Sequence, residues 1–251
     1  RRWSATGVLL DTVFTVPSTF TVPGSGLDTL ESVRGIAVDS SFVYFVDAGP
    51  NPGAIPSNAW FKFTRAGAPV MASRSTDFVA NLDADPDALV DDIVWSPMTS
   101  PVYPGRLLIA LEHSGIQVVD RDGNFIAKFR WSTQNLPPKN PQFNQFYGRV
   151  GALAGLALDT ASGNLYLGDN DSGDAQVWVR LPGPGTVSFA VGMSAHLEYP
   201  RAGCSLPLWE PATPDAVLLG LAWRSVDRMC YAIDINGGDL WRLDPRTGAT
   251  W

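Results

Sequence analysis

Short apolar segments in which polar residues alternate, rather than long helical repeats, organise this chain. The clearest example is residues 155–170, GLALDTASGNLYLGDN. It contains a small apolar arm, a turn over residues 160–164, and an alternating arm that ends at Asp169. Strand-forming residues on both sides of a turn predict a β-hairpin. Gly163 supplies the positive φ that such a tight turn needs.

The same pattern recurs in looser form over residues 35–49, 92–115 and 220–238. When the four segments are aligned on the third residue of the first arm, the aligned residues are 57, 63 and 65 positions apart: Ala37, Val94, Ala157 and Ala222. The stretches before and after these four positions together make about one more repeat. We therefore expect four repeats, the fourth divided between the two ends of the chain.

Each hairpin is followed by a third predicted strand that ends in a glycine-bearing turn. A weaker fourth strand follows in three of the repeats. The third strands start at Trp60, Gly115, Ala175 and Asp239, and the fourth strands start at Pro69, Asn124 and Thr186. Four strands per repeat, arranged around one axis, make a β-propeller.

The predicted fold is therefore one all-β domain over residues 1–251, a propeller of four four-stranded blades of about 60 residues each. The blades cover residues 33–89, 90–150, 151–216, and 217–251 together with 1–30. A strand from the N-terminal stretch that begins at Gly7 completes the last blade and closes the ring, which leaves no sheet edge open. The alternative is that the chain is a fragment of a larger propeller.

The hairpin with its LYLGDN arm, followed by the VWV strand near Trp178, resembles the repeats of the NHL and SMP-30/gluconolactonase-like propellers. The segment DLWRLDPRTGAT from Asp239 is also similar to YVTN-type and quinoprotein-type repeats. The resemblance implies the fold, but these families include lactonases, protein binders and RNA binders, so it leaves the function open. Their members more often have five to seven blades, which keeps the fragment alternative open.

The charge composition argues against nucleic acid as a binding partner. Charged residues make up 17% of the chain and the net charge is −7, whereas about 25% charged residues is usual in soluble domains. Few of the cations are lysines, so nucleic acid is not an expected partner. No apolar run approaches the roughly 18 residues of a membrane-spanning helix. Sparse charge, together with a first residue that is not Met, favours a secreted, extracellular protein.

The two cysteines, Cys204 and Cys230, add to the extracellular interpretation. Cys204 lies in a proline-rich loop and Cys230 lies on the second arm of the last hairpin. A loop that folds back beside this arm would allow a disulfide between them, and we expect that pairing. The alternative is two independent thiols.

A carboxylate ends the second arm of every hairpin: Asp47, Glu112, Asp169 and Asp234. In a propeller these four side chains would form a ring on one face. Converging carboxylates attract a hard cation such as Ca²⁺, which takes six to eight oxygen ligands. Alternatively, each carboxylate accepts backbone N–H bonds from the turn that follows its strand and serves as a cap.

Residues 169–174, DNDSGD, are acidic and glycine-bearing but lack the EF-hand frame. They contain the N-x-[ST] sequence of Asn170, so in a secreted protein Asn170 is a candidate glycosylation site. The alternative is a polar turn.

Motifs of nucleophilic catalysis are missing from the sequence, which contains two histidines and no G-x-S-x-G elbow. His113, next to Glu112, is the best candidate for a general base, and its alternative is a solvent-facing turn histidine. The sequence therefore favours a protein that is not an enzyme.

The tryptophans include the candidate residues for contact with a ligand or a partner protein. Five of the nine tryptophans fall on predicted strands, where we expect them to pack in the core: Trp60, Trp95, Trp178, Trp223 and Trp241. The other four fall at ends or in loops, where they could stack on sugars or anchor a partner: Trp3, Trp131, Trp209 and Trp251.

Three functions fit these features. The first is a non-enzymatic extracellular propeller that serves as a structural or interaction module, with a protein partner or with itself as a subunit of a fibre or surface assembly. The second is an SMP-30-like metal-dependent lactonase or esterase. The third is a glycan-binding propeller. The missing catalytic motifs favour the first.

Overall fold

The computed structural model describes these parts of the chain: residues 2–3, 9–11, 19–24, 26–48, 59–74, 90–101, 103–111, 115–129, 153–169, 176–180, 218–234 and 237–244. All of the regular structure in these ranges is β-strand. Within them there is thus no helix of a length and apolarity that would cross a membrane. The chain divides into two compact units, Arg1–Ile93 and Val94–Trp251, and the division falls inside one strand.

The first unit contains two short hairpins and one four-stranded antiparallel sheet. The hairpins pair β1 (Arg2–Trp3) with β2 (Leu9–Asp11) and β3 (Thr19–Val22) with β4 (Gly26–Thr29). The first sheet has the order β5-β6-β7-β8. Its strands are β5 (Val33–Val38), β6 (Phe42–Asp47), β7 (Ala59–Thr64) and β8 (Pro69–Arg74).

Three further antiparallel sheets follow. The second sheet contains β9 (Val90–Ser96), β10 (Arg106–Leu111), β11 (Gly115–Val119) and β12 (Phe125–Phe129). The third contains β13 (Leu153–Leu158), β14 (Leu165–Asp169) and β15 (Gln176–Arg180). The fourth contains β16 (Leu218–Arg224), β17 (Met229–Asp234) and β18 (Asp239–Leu243). In each sheet, neighbours in sequence are neighbours in space, as in the up-and-down blades of a propeller.

Alternation along the strands gives each sheet two faces that pack separately. In the third sheet, Leu156 and Leu158 join the cluster formed with Leu108 and Val118 of the second sheet. Ala157, between them in sequence, joins the cluster formed with the fourth sheet. Successive side chains of a strand point to opposite faces. One strand can therefore serve two cores.

In the first unit, the hairpin β3–β4 packs on the first sheet. Phe20 meets Phe61 and Phe63 edge to face, with ring centroids 5.4 and 5.1 Å apart. Such aromatic pairs add about 0.5–1.5 kcal/mol beyond their burial. The hairpin thus fixes the outer strands of this sheet.

A register shift recurs at one place in three of the sheets. It falls between Val33 and Gly35, between Leu153 and Gly155, and between Leu218 and Gly220, in each case where the first strand of the sheet begins. An irregularity of this kind bends a strand and increases its twist. The glycine after it is the first regularly paired residue of the hairpin.

The turns show how local chemistry fixes the hairpins. Gly163 has a φ of 78°, as the sequence predicts, and its N–H donates to the carbonyl of Asp159 over 2.7 Å. The matching turn of the fourth sheet has no glycine at this place. Arg228 instead takes a φ of 58°, and its N–H donates to the carbonyl of Arg224 over 2.9 Å.

The predicted hairpins and third strands are all present, and fourth strands are present in the first and second sheets. The fourth strand predicted from Thr186 lies outside the described residues. In the part of the chain that the structure describes, β18 pairs with β17, and each N-terminal strand pairs with another N-terminal strand. Four blades and closure by the N-terminal strand therefore stay predictions, as do the blade boundaries.

One tryptophan lies in a different register from its counterparts. Trp178 is opposite Leu167, and Trp241 is opposite the aligned residue Ala232. Trp60 is opposite Val46. In the alignment, Val46 lies one position after the residue that corresponds to Leu167 and Ala232. Since an offset of one residue changes the face of a sheet, Trp60 belongs to the opposite face of its sheet. It is fully buried there.

Candidate interaction surface

The glycines that begin the first and third hairpins mark close approaches between neighbouring strands of different sheets. A Cβ atom placed on Gly155 would lie 2.9 Å from the backbone nitrogen of Leu221 and 3.0 Å from the Cα of Gly220. A real Cβ does not approach backbone atoms so closely. The first strands of the third and fourth sheets therefore touch backbone to backbone, and no residue larger than glycine fits at position 155.

The same contact occurs at the first sheet with aligned residues. A Cβ on Gly35 would lie 2.7 Å from the Cα of Asp92 and 2.8 Å from the nitrogen of Ile93. In the repeat alignment, Asp92 and Ile93 correspond to Gly220 and Leu221. Beside this contact, the guanidinium of Arg34 forms an ion pair with the buried carboxylate of Asp91. The same close approach therefore occurs twice, at aligned residues of two repeats.

Gly220 occupies the equivalent position in the fourth sheet, but a Cβ placed there would have nothing within 4 Å. Its cross-strand neighbours are Ile233 and, beyond that, Leu240. Their side chains are 50% and 63% exposed. Together with the exposed Ala222, these residues form an apolar surface, which we call the open face: Gly220, Ala222, Ile233 and Leu240.

The matching row of the first sheet shows what this surface becomes when it is covered. Gly35 is opposite Val46, and Val46 is opposite Trp60. Val46 and Trp60 are both 0% exposed. The same row of positions is therefore fully buried in the first sheet and open in the fourth.

Polar groups border the open face at its turn. The hydroxyl of Tyr231 donates to Oδ2 of Asp227 over 2.7 Å, and Arg224 lies 3.6 Å from the same oxygen. The hydrogen bond from Tyr231, assisted by the charge of Arg224, holds the pKa of Asp227 below its ordinary value, although desolvation opposes the shift. Asp227 is therefore ionised at neutral pH.

The opposite face of the fourth sheet is packed against the third sheet. The rings of Tyr166 and Trp223 stack with centroids 5.2 Å apart and planes 15° apart. Burial raises the pKa of Tyr166 to about 12, although Asn164 opposes the shift by a hydrogen bond. Burial also raises the pKa of the Cys230 thiol to about 12. Both groups are therefore neutral at pH 7.

A second exposed apolar surface lies in the first unit, on β5. Ile36 and Val38 point to one face of the first sheet and are 59% and 46% exposed. The aligned residues of the third sheet, Leu156 and Leu158, are 1% and 8% exposed. We call Ile36 and Val38 the β5 face. On the same side of the sheet, the cross-strand neighbours Phe45 and Phe61 pack in the cluster that contains Phe20, so the exposed part of this side is confined to β5.

Asp47, the first of the four predicted carboxylate ligands, serves as a cap. It is 2% exposed, and its two oxygens accept the N–H groups of Glu31 and Ser32 over 2.7 and 3.0 Å. These residues directly precede β5. The carboxylate therefore ties the end of β6 to the entry of its partner strand, which agrees with the cap alternative for this residue.

The other three carboxylates are only partly described. Asp234 is buried at the end of β17, Asp169 ends β14 opposite Leu153, and Glu112 lies outside the described residues. No group of three or more His, Cys, Asp or Glu side chains that could hold a metal ion occurs within the described ranges. The carboxylate ring and its Ca²⁺ stay predictions.

The remaining predicted sites are mostly beyond what the structure describes. Trp3 lies in β1, opposite Leu9, and Cys230 is buried in β17. Its predicted disulfide partner lies outside the described residues, so the pairing stays a prediction. Also outside them are Asn170, Trp131, Cys204, Trp209, Trp251 and His113.

The sequence analysis did not identify either exposed surface. One signal was available for the open face: β17 and β18, MCYAID and DLWRL, carry apolar residues on both faces. A strand of that kind is typical of a sheet covered on two sides. The glycine at the start of three hairpins was a second signal, since it indicates a close backbone approach.

No protein-family model matches the chain, and no curated protein matches it. The chain is similar to the crystal structure of a nidogen/laminin complex, with a TM-score of 0.53 and 13% identity over 90% of this chain and 68% of that chain. It is also similar to Sqt1 of Saccharomyces cerevisiae, with a TM-score of 0.45 and 10% identity over 85% of this chain and 45% of that chain. A putative oxidoreductase (glucose dehydrogenase) of Thermus thermophilus gives a TM-score of 0.45 and 14% identity over 85% of this chain and 79% of that chain.

The first of these likenesses confirms the predicted fold class. The described residues form small antiparallel sheets, and the first neighbour is a β-propeller. The fold is therefore all-β and of the β-propeller type. At 13% identity the likeness concerns the fold alone, and the more specific resemblance to the NHL and SMP-30-like families stays a prediction.

Proposed function

We propose that this protein is a non-enzymatic, extracellular β-propeller that acts as an interaction module, and that the open face is its contact surface. One observation carries the proposal. The row of Gly220, Ile233 and Leu240 is exposed, whereas the aligned row of Gly35, Val46 and Trp60 is buried.

The chemistry of the open face supports a protein partner. Covering a large aliphatic side chain stabilises a complex by about 1.5–3 kcal/mol before the costs of association. Ile233 and Leu240 are adjacent across two strands, so one apolar partner residue can contact both. The ionised edge formed by Arg224 and Asp227 supplies a polar rim, as contact surfaces of soluble proteins generally have.

The nidogen structure lends the proposal limited support. That propeller was crystallised in a complex with laminin, so a chain of this fold can present a surface to another protein. The identity of 13% brings only the fold to the present chain. The sparse charge supports the extracellular setting, and assembly into a fibre or on a surface is the form of interaction that we propose.

The metal-dependent lactonase is the less favoured alternative because of Asp47. Both of its oxygens already accept backbone N–H groups, which is the role of a structural cap. Calcium titration by calorimetry on protein stripped with a chelator tests this part. We expect no binding heat, whereas micromolar binding that is lost in Asp169→Ala would support the carboxylate ring and call for assays of lactone and ester hydrolysis.

Accessibility of the open face tests the proposed function directly. Photoactivated carbene labelling, read by mass spectrometry, is carried out on the chain at nanomolar concentration. We expect strong labelling of Ile233 and Leu240 and little labelling of Leu156 and Leu167 in the same sample. Weak labelling of Ile233 and Leu240 at this dilution would show that the surface is covered within the chain, and the proposal would fail.

A further inference from the structure

We infer that Met98 is a modification site, at which a peroxide oxidises the thioether to the sulfoxide and produces one of the two sulfoxide epimers in excess. Met98 lies in the turn between β9 and β10 of the second sheet. The site is separate from the open face. Two observations carry the inference: the exposure of the Met98 side chain and the contact of its sulfur with Gly105.

Met98 is the most exposed sulfur-bearing residue in the part of the chain that the structure describes. Its exposed fraction is 75%, whereas that of Met229 is 7% and that of Cys230 is 0%. Met71, in β8, is half-buried. A thioether has no proton to lose before it reacts, so its oxidation depends on the access of the oxidant to the sulfur. Access therefore favours Met98.

Contact with Gly105 gives the sulfur of Met98 a defined position. Gly105 directly precedes β10 and has a φ of 68°. A Cβ atom placed on Gly105 would collide with Sδ of Met98 and would lie 3.7 and 3.8 Å from its Cγ and Cε. The thioether thus occupies the space that a side chain at position 105 would need. One side of the sulfur therefore faces the turn, and the other side faces solvent.

The turn under Met98 is anchored to the core. Tyr103 packs against the cluster that the second and third sheets share, and its φ of 52° is uncommon for a residue with a side chain. Ser100 is buried, and its N–H donates to the carbonyl of Pro97 over 2.9 Å. These contacts hold the backbone on which Met98 lies, so the two sides of its sulfur stay distinct.

The reaction needs only a peroxide from outside the protein. A lone pair of Sδ attacks one oxygen of hydrogen peroxide, the S–O bond forms and the O–O bond breaks. The proton on the sulfur-bound oxygen passes to the departing hydroxide, which leaves as water. The sulfur loses the two electrons that the peroxide gains. Because one side of Sδ faces Gly105, the lone pair on the solvent side reacts, and one chiral sulfoxide predominates.

Oxidation would change the surface of this turn reversibly. The sulfoxide is polar, so it replaces an exposed apolar side chain by a hydrated one. Two methionine sulfoxide reductases restore the thioether, and each acts on one epimer. A product that is mainly one epimer would therefore depend on one of the two enzymes for its repair.

Peptide mapping by mass spectrometry, during treatment of the full chain with dilute hydrogen peroxide, tests the site. We expect Met98 to gain one oxygen at least about tenfold faster than Met229 in the folded protein, and the two rates to become similar in urea. Met98→Leu is the matched control, since leucine keeps nearly the same volume, and it should lack the fast addition. Equal rates for Met98 and Met229 in the folded protein would overturn the inference.

The epimers test the contact with Gly105. Protein oxidised in the folded state is digested, and the peptide with Met98 is treated with each reductase separately. We expect one enzyme to reduce most of the sulfoxide, whereas peptide from protein oxidised in urea should be reduced about equally by both. Equal reduction of the peptide from folded protein would show that both sides of the sulfur are open, and the inferred preference would fail.

Discussion

The third and fourth sheets start from nearly the same sequence and end in different surroundings. Their first strands read GLAL from Gly155 and GLAW from Gly220, and both follow the same register shift. The third sheet packs on both faces, whereas the fourth packs on one and leaves Ile233 and Leu240 exposed. The burial of a blade is therefore decided by what lies beside it as much as by its own residues.

The largest expected difference between the two sheets is in the loss of stability when the first glycine of each hairpin is replaced. Gly155→Val places a side chain about 3 Å from the backbone of the fourth sheet, and backbone atoms cannot move aside as a flexible side chain can. We expect a loss of more than about 3 kcal/mol in the free energy of unfolding. Gly220→Val should change it by less than about 0.5 kcal/mol.

Urea denaturation of both variants at a concentration where the wild type is monomeric measures this difference. Equal destabilisation by the two substitutions would mean that the space above Gly220 is filled.

The second expected difference is in the loss of stability when one leucine of each sheet is truncated to alanine. Leu167 of the third sheet is 0% exposed within the cluster shared with the second sheet, so Leu167→Ala should lose about 3 kcal/mol through burial and cavity effects. Leu240 of the fourth sheet is 63% exposed, and Leu240→Ala should lose less than about 0.5 kcal/mol. Denaturant midpoints at constant slope provide the measurement. A large loss for Leu240→Ala would contradict its exposure.

The third difference lies in the hairpin turns. Arg228 has a φ of 58°, which is strained for a residue with a side chain, whereas Gly163 has a φ of 78° without strain. Arg228→Gly should therefore stabilise the protein by about 0.5–1 kcal/mol, and Gly163→Ala should destabilise it by about 1 kcal/mol. Thermal melts of the two variants report the opposite signs, and a loss of stability in Arg228→Gly would contradict the strain.

The smallest expected effect is on the pH dependence of stability. It comes from Tyr166, in the interface between the third and fourth sheets, and is absent at pH 7. Burial raises the pKa of Tyr166 to about 12, above the value of about 10 in an unfolded chain. The unfolded state therefore loses this proton first, so the stabilisation is complete below about pH 10 and is lost as the pH rises toward 12.

Tyr166→Phe keeps the ring that stacks on Trp223 and removes the titration. Its stability should fall less steeply than that of the wild type between about pH 9.5 and about pH 11. Denaturant midpoints across this range test the difference in slope, and parallel curves would show that Tyr166 does not carry it.

The hairpins could be predicted from the sequence because their signals are local. Alternating residues and the position of Gly163 specify strand, turn and strand without reference to the rest of the chain. For Asp47, the position at the end of a strand left a metal ligand and a cap both open. Its oxygens accept the N–H groups of Glu31 and Ser32, which are contacts between strands that no local signal specifies, and the metal ring stays a prediction.

The open face could not be predicted in the same way because exposure depends on a neighbour. Nothing in the residues of GLAW distinguishes a covered strand from an uncovered one. The position of Trp60 shows a related difficulty, since apolar residues flank it on both sides in β7 and the observed pairing with Val46 is what distinguishes its face from that of the aligned tryptophans. The pairing register of a strand and the sheet that covers it are both set when the sheets assemble, so a local sequence pattern does not specify them.

The glycine contact also bears on how such a chain can grow during evolution. The close approaches at Gly35 and Gly155 each use a residue without a side chain, and Gly220 supplies such a residue in the fourth sheet, where the described residues include no following strand. A duplicated repeat inserted after the fourth hairpin could pack against Gly220 as the fourth sheet packs against Gly155. The fourth sheet therefore retains room for a further repeat at this position.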